Sequence, residues 1–111
     1  MPEADFNVVR ELAESLPDVV HTISSRGEGL KVRGKLMACQ AIHKSADPNS
    51  IMARVSDAER DRLIESDPKT YYITKHYENY PAVLVRLSSV SRRELERLLK
   101  ISWQYVFEKS Q

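Results

Sequence analysis

Glycine, cysteine and tryptophan are scarce in this 111-residue chain, which has three, one and one of them. With so few glycines, turns that need left-handed backbone are rationed, and a loop-heavy architecture is not expected. A lone cysteine, Cys39, excludes a disulfide within the chain and a Cys-rich metal centre. No apolar run approaches the roughly 20 residues of a membrane-spanning helix, so no membrane partner is expected. The opening MPEADFNVVRELAESLP is acidic and amphipathic, without the basic and apolar regions of a signal peptide, and a cytoplasmic address is expected. The net charge is only +1, so the overall positive bias of a dedicated phosphate binder is missing. GxSxG, P-loop, GxGxxG and HExxH patterns are absent as well. No enzyme class is announced, and no catalytic residue or cofactor is assigned.

What is present is the composition of a folded protein, 41% apolar and 30% charged. The length suits one domain over residues 1–111 with a single modest core. Charge is unevenly placed. Residues 1–20 carry a net −4, residues 21–50 +3, residues 51–70 −1 and residues 71–111 +3. A basic face opposite an acidic first helix is compatible with that distribution.

Periodicity then organises the chain. Val8 or Val9, Leu12, Ala13 and Leu16 fall at helical spacing, with Asp5 as cap and Pro17 as stop. Thr22 and Ile23 suggest a short strand ending at Arg26-Gly27. LKVRGKLMACQAI reads as a hairpin: Leu30 and Val32 alternate with Lys31 and Arg33, Gly34-Lys35 makes the turn, and Leu36 to Ile42 returns. KSADPNS is a loop. IMARVS is a strand with Ile51, Ala53 and Val55 on one face and Met52 and Arg54 on the other. It runs into the capping box Ser56 to Glu59 and a charged surface helix. Residues 70–74 and 81–87 read as two more strands. A second capping box, Ser91 to Glu94, opens a helix with an apolar stripe of Leu95, Leu98, Leu99, Ser102 and Val106, and Trp103 beside it. The expected class is α+β: one largely antiparallel sheet of about five to six strands packed against N- and C-terminal helices.

Two stretches concentrate chemistry. The hairpin places Lys31 and Arg33 on one side of a strand and Lys35 at its turn, a wing whose cations can straddle a phosphate backbone. Solvated charges that protect a sheet edge explain the same pattern. The stretch YYITKHYENYPAVLVRL, residues 71–87, holds four of the five tyrosines. Its Lys75, His76, Tyr77 and Tyr80 lie between two strands, where aromatics can stack on bases and cations can meet phosphate. A structural role, with Tyr71 or Tyr72 facing the core, reads equally from the same residues. His21, His43 and His76 show no short spacing that would bring two together for a metal, so no metal site is assigned. Cys39 follows Ala38 in an apolar strand with no adjacent base, and reads as a small buried hydrophobe.

A helix closing in SLPDV, a hairpin with KVRGK, a strand passing into a charged helix, HYENYPAVLVRL and a terminal LERLLKISWQYV together resemble the MmcQ/YjbR family. The resemblance covers nearly the whole chain. It implies a CyaY-like fold, an antiparallel sheet against helices in a double-wing arrangement, and DNA binding without catalytic residues. Frataxin-type proteins of the related fold hold iron on an acidic first helix; the matching acids here, Glu3, Asp5, Glu11 and Glu14, are sparse. The leading expectation is a non-enzymatic DNA-binding protein acting through Lys31, Arg33, Lys35, Lys75, His76, Tyr77 and Tyr80. The alternative is a protein-interaction or chaperone-like adaptor, homodimeric through an exposed apolar edge strand or the Trp103–Phe107 helix. A third reading is a small-molecule pocket lined by Tyr72, His76 or Trp103.

Overall fold

The computed structural model describes residues 4–110; Glu3, one of the first-helix acids named above, lies outside them. Asp5 opens helix α1 (Phe6–Glu14) by accepting a hydrogen bond from the Val8 amide at 3.2 Å. The apolar stripe then presents Phe6, Val9 and Ala13 to the core. Six strands follow in one antiparallel sheet: β1 (Val19–Ser24), β2 (Gly27–Val32), β3 (Lys35–Gln40), β4 (Ser50–Arg54), β5 (Tyr71–Tyr72) and β6 (Ala82–Arg86). Their order is β1-β2-β3-β4-β6-β5. Helix α2 (Asp57–Ser66) links β4 to β5, and helix α3 (Arg92–Lys109) closes the chain. The α+β class and the six-stranded sheet are as the residue pattern predicts.

One face of the sheet carries the core. Leu30, Val32, Ile51, Ala53, Val83 and Val85 pack there beneath Val9 and Ala13 of α1 and Leu95, Leu98, Leu99 and Val106 of α3. Each fully buried aliphatic side chain contributes roughly 1.5–3 kcal/mol, so this layer is what holds the two helices on the sheet. Between β2 and β3 the register slips: Leu30 pairs with Ala38 and Lys31 with Leu36. Met37 is the extra residue, a bulge that lets Met37 and Ala38 both reach the core. The buried Ser102 hydroxyl donates to the Met37 carbonyl at 3.0 Å and ties α3 to that bulge. Trp103 Nε1 donates to the Pro17 carbonyl at 2.7 Å, fastening the exit of α1 to α3.

The opposite face is covered by loops, not helices. Met52, Ala82 and Leu84 lie under Tyr77, with Leu36, Cys39, Ala46, Tyr72 and Ile73 around them. This covering corrects the strand expected over residues 70–74. Only Tyr71 and Tyr72 pair with β6, after which the chain folds over as a 3-10 turn, Lys75–Tyr77. The physical reason is apolar: the turn carries Tyr77 onto Met52 and Leu84, which would otherwise face water. Two further boundaries differ. The strand expected to end at Arg26-Gly27 ends at Ser24, and Gly27 already begins β2. The hairpin turn is Arg33-Gly34, since Val32 pairs with Lys35, and both turn residues have positive φ, 52° and 82°. That is the geometry of a two-residue turn matched to strand twist.

The helix starts use the expected serines. Ser56 and Ser91 accept from the amides of Glu59 and Glu94. Glu59, expected to reach back to the cap, pairs with Arg62 instead. No helix among the described residues is long and apolar enough to cross a membrane.

Candidate functional site

The hairpin cations divide once the chain folds. Lys31 is exposed on the loop-bearing side of β2 and pairs in register with Leu36. Arg33, being a turn residue and not a strand neighbour of Lys31, is drawn the other way. Its guanidinium lies 3.5 Å from an Asp18 carboxylate oxygen and 4.6 Å from the centroid of the Phe107 ring, which itself stacks on Trp103. Lys35 begins β3, and its ammonium donates to the Lys109 carbonyl at 3.0 Å, in the last turn of α3. That carbonyl is one of the unpaired oxygens at the helix end.

These contacts draw in residues that sequence reasoning missed. Lys35, Leu36, Arg54, Tyr105, Val106 and Lys109 line a cleft of about 430 Å³ between the hairpin and the end of α3. Arg54 and Lys109 approach the Tyr105 ring, with their charged groups 5.8 and 5.5 Å from its centroid. Arg54 Nε also donates to the Pro81 carbonyl at 2.9 Å, which brings the exposed Tyr80 next to this end of the sheet. Among the described residues, no carboxylate forms an ion pair with Lys31, Lys35, Arg54 or Lys109. Tyr105 and Lys109 are four apart on α3, the spacing that shares a helix face, and this is the one sequence signal that could have flagged them.

The 75–80 loop does not act as a unit. Tyr80 turns towards solvent at 41% exposure, while Tyr77 is buried at 6%. The Tyr77 hydroxyl accepts from the His43 amide at 3.3 Å. His76 stacks on His43 with ring centroids 3.5 Å apart and planes within 6°, so the two histidines that looked scattered in sequence meet. His43 Nδ1 bonds the Ser45 amide and hydroxyl, and Ser45 reaches Thr74 at 2.9 Å. Desolvation, then the positive neighbours His76 and Lys44, hold the His43 imidazole below its ordinary value. The cluster fastens two loops together, and Lys75 stands exposed at its edge.

No group of three or more His, Cys, Asp or Glu side chains converges as a metal site among the described residues. Burial pushes the Cys39 thiol up to about 11, which keeps it protonated and a poor nucleophile at neutral pH. Tyr71 is pushed up to about 12, chiefly by burial and then by Glu94 and Asp67. A second cleft of about 370 Å³ opens at the far end of the sheet, with Asp5, Glu28, Gln40 and Ser50 among its lining residues. Its acids are already engaged: Asp5 caps α1, and Glu28 bonds His21 at 2.9 Å.

Sheet and helices together describe a small α+β protein, and its hairpin end carries cations that have no ion-pair partner among the described residues. A family model, YjbR, matches residues 14–105, and the chain belongs to that family. Three mycobacterial relatives, the uncharacterized proteins Mb2600 of Mycobacterium bovis and MT2646 and Rv2570 of Mycobacterium tuberculosis, are each 45% identical over 51 residues. The matched segment is 45% of this chain and spans 40% of each relative's length. The crystal structure of the Deinococcus radiodurans protein DR2400, a DUF419 domain, is similar in fold. Its TM-score is 0.79 at 21% identity, covering all of this chain and 84% of that one.

Proposed function

We propose that this protein binds nucleic acid, without catalysis, through the hairpin end of the molecule. The observation that carries the reading is the gathering of Lys31, Lys35, Arg54 and Lys109 at one end of the sheet, with no acidic partner among the described residues. Phosphate backbones are recognised by such clusters, and Tyr80 and Tyr105 beside them offer ring faces to unstacked bases. Net charge near zero makes the binding weak and local, not a property of the whole surface. Arg33 acts indirectly, holding the hairpin against Phe107 and Asp18.

Fluorescence anisotropy with short duplex and single-stranded DNA at low and then raised salt tests this. Affinity should fall with salt, at a log–log slope of about −0.9 per phosphate neutralised on duplex. Charge reversal at Lys31 and Lys35 should remove most of it, while Lys75→Glu should matter less. No binding at low salt, or binding indifferent to those reversals, removes the proposal.

One observation favours a second reading, a protein-interaction module. β1 is an open edge strand without charged residues or proline, and its Val20 and Ile23 are 59% and 77% exposed. Such an edge invites pairing with another strand. Light scattering on the purified chain tests it: a dimer lost in a Val20→Lys variant supports this reading, and a monomer at high concentration removes it. The Trp103–Phe107 surface is the weaker route, because Arg33 and Pro17 already occupy it.

A further inference from the structure

The geometry points to a phosphate-monoester site in the cleft between the β2–β3 hairpin and the end of α3, held by Lys35, Arg54 and Lys109. This deepens the nucleic-acid reading and rests on it for the location of the binding end.

Three cations line the cleft, and none of its lining residues is acidic. Six of the other nine arginines pair with carboxylates, among them Arg86 with Asp47, Arg60 with Asp57 and Asp61, and Arg92 with Glu11, while Arg26, Arg93 and Arg97 stand singly on the surface without one among the described residues. Here, among the described residues, Lys35 and Arg54 donate only to neutral carbonyls, those of Lys109 and Pro81. The negative end of α3 offsets about half a unit of charge. Among the described residues the cleft therefore keeps a positive surplus, and like charges in one cleft repel until an anion enters. That surplus matches a dianion. A backbone phosphodiester carries one charge, whereas a terminal phosphate carries close to two at pH 7. The cleft's size, about 430 Å³, is that of a site for a small organic ligand. Leu36, Val106 and the Tyr105 ring supply an apolar wall for the carbon part of the ester.

Two sources share this chemistry, the 5′-phosphorylated end of a nucleic acid strand and a free phosphorylated small molecule. The test titrates the full chain with four probes by calorimetry: deoxyadenosine 5′-monophosphate, deoxyadenosine, and one single-stranded oligonucleotide with a 5′-phosphate or a 5′-hydroxyl. Phosphorylated probes should bind more tightly than their hydroxyl counterparts. Arg54→Gln and Lys109→Gln should each weaken them about tenfold or more, as charge-assisted bonds are lost. Lys100→Gln, which removes an exposed cation of α3 paired with Glu96 and outside the cleft lining, should leave the preference for phosphate intact. The preference should also fade below about pH 6, where the monoester regains its second proton. A response to the mononucleotide identifies a free ligand; a response to the phosphorylated strand alone identifies a strand end. Both support the site.

Probes that bind equally with and without the phosphate overturn it, as does an Arg54→Gln, Lys109→Gln double variant that keeps both the fold by circular dichroism and the preference. Duplex binding with no preference for a phosphate end overturns the monoester site and leaves the nucleic-acid reading standing. Mononucleotide binding without any polymer binding does the reverse.

Discussion

The two clefts at opposite ends of the sheet are similar in size, about 370 and 430 Å³, and opposite in the state of their charges. At the far end, Asp5 and Glu28 are spent on local structure, one capping α1 and the other bonded to His21. At the hairpin end, Lys35, Arg54 and Lys109 meet carbonyls and a tyrosine ring but no carboxylate of the described residues. The same contrast separates Arg86 from Arg54. Both reach the loop-bearing side of the sheet, yet Arg86 donates to Asp47 at 2.6 Å and to the Pro68 and Lys69 carbonyls, and lies 3.9 Å over Tyr72. A charge that is matched serves the fold; a cluster that is unmatched is available to a ligand. This rule can be broken by experiment.

The largest effect should come from reversing two unmatched cations. Lys35→Glu with Arg54→Glu should lower nucleic-acid affinity at low salt by about 100-fold or more, from two lost charge-assisted contacts. Stability should fall by only about 1–2 kcal/mol, since exposed Lys35 contributes little and relief of repulsion in the cleft partly offsets the bond that half-buried Arg54 loses to the Pro81 carbonyl. Anisotropy and thermal melting on the same sample check both halves. A variant that unfolds would show that these cations serve the fold after all.

Arg86→Met should behave in the opposite way. It removes the group joining the 47–49 loop, the 67–70 turn and Tyr72, and should cost about 2 kcal/mol of stability through the lost charged hydrogen bonds. DNA affinity should stay within about twofold, well under one charge-assisted contact. Urea unfolding measures the first and anisotropy the second. Smaller again is Tyr77→Phe, which removes the acceptor of the His43 amide and should cost about 1 kcal/mol. Faster hydrogen exchange at His43, with binding unchanged, is the signature.

Much of the fold could be read from local chemistry. Asp5, Ser56 and Ser91 cap the helices that their spacing predicts, and the alternation in β4 assigns both of its faces correctly. The site could not be read the same way, because distant segments assemble it. Lys35 meets Lys109 across 74 residues, and Arg54 meets Tyr105 from another strand. The one-residue shift of the hairpin turn has a similar origin. A non-glycine residue at positive φ is uncommon, and what accompanies it at Arg33 is a remote pair of partners, Asp18 and Phe107. The cover of the opposite face is not legible in the same way: alternation puts Met52 opposite Ile51 and Ala53, but does not show that Tyr77 comes back to cover it.

The smallest effect separates the two regions by pH. His43 is held below its ordinary value of 6.5, chiefly by desolvation and then by His76 and Lys44. The sign follows from linkage: the unfolded chain takes up the proton more readily. The stabilising contribution is therefore present above 6.5 and is lost as pH falls through the lower folded value. Thermal midpoints should be flat above neutrality and decline in mild acid, and His76→Phe, which keeps a ring in the stack but removes its charge, should make the decline shallower. The hairpin cleft has no histidine in its lining, and backbone phosphodiesters do not titrate in this range. Duplex affinity should therefore stay level over the interval in which stability falls. An NMR titration placing His43 at or above the ordinary imidazole value would remove the pH effect, and duplex affinity that tracks the loss of stability would mean that the histidine stack and the cationic end are one unit and not two.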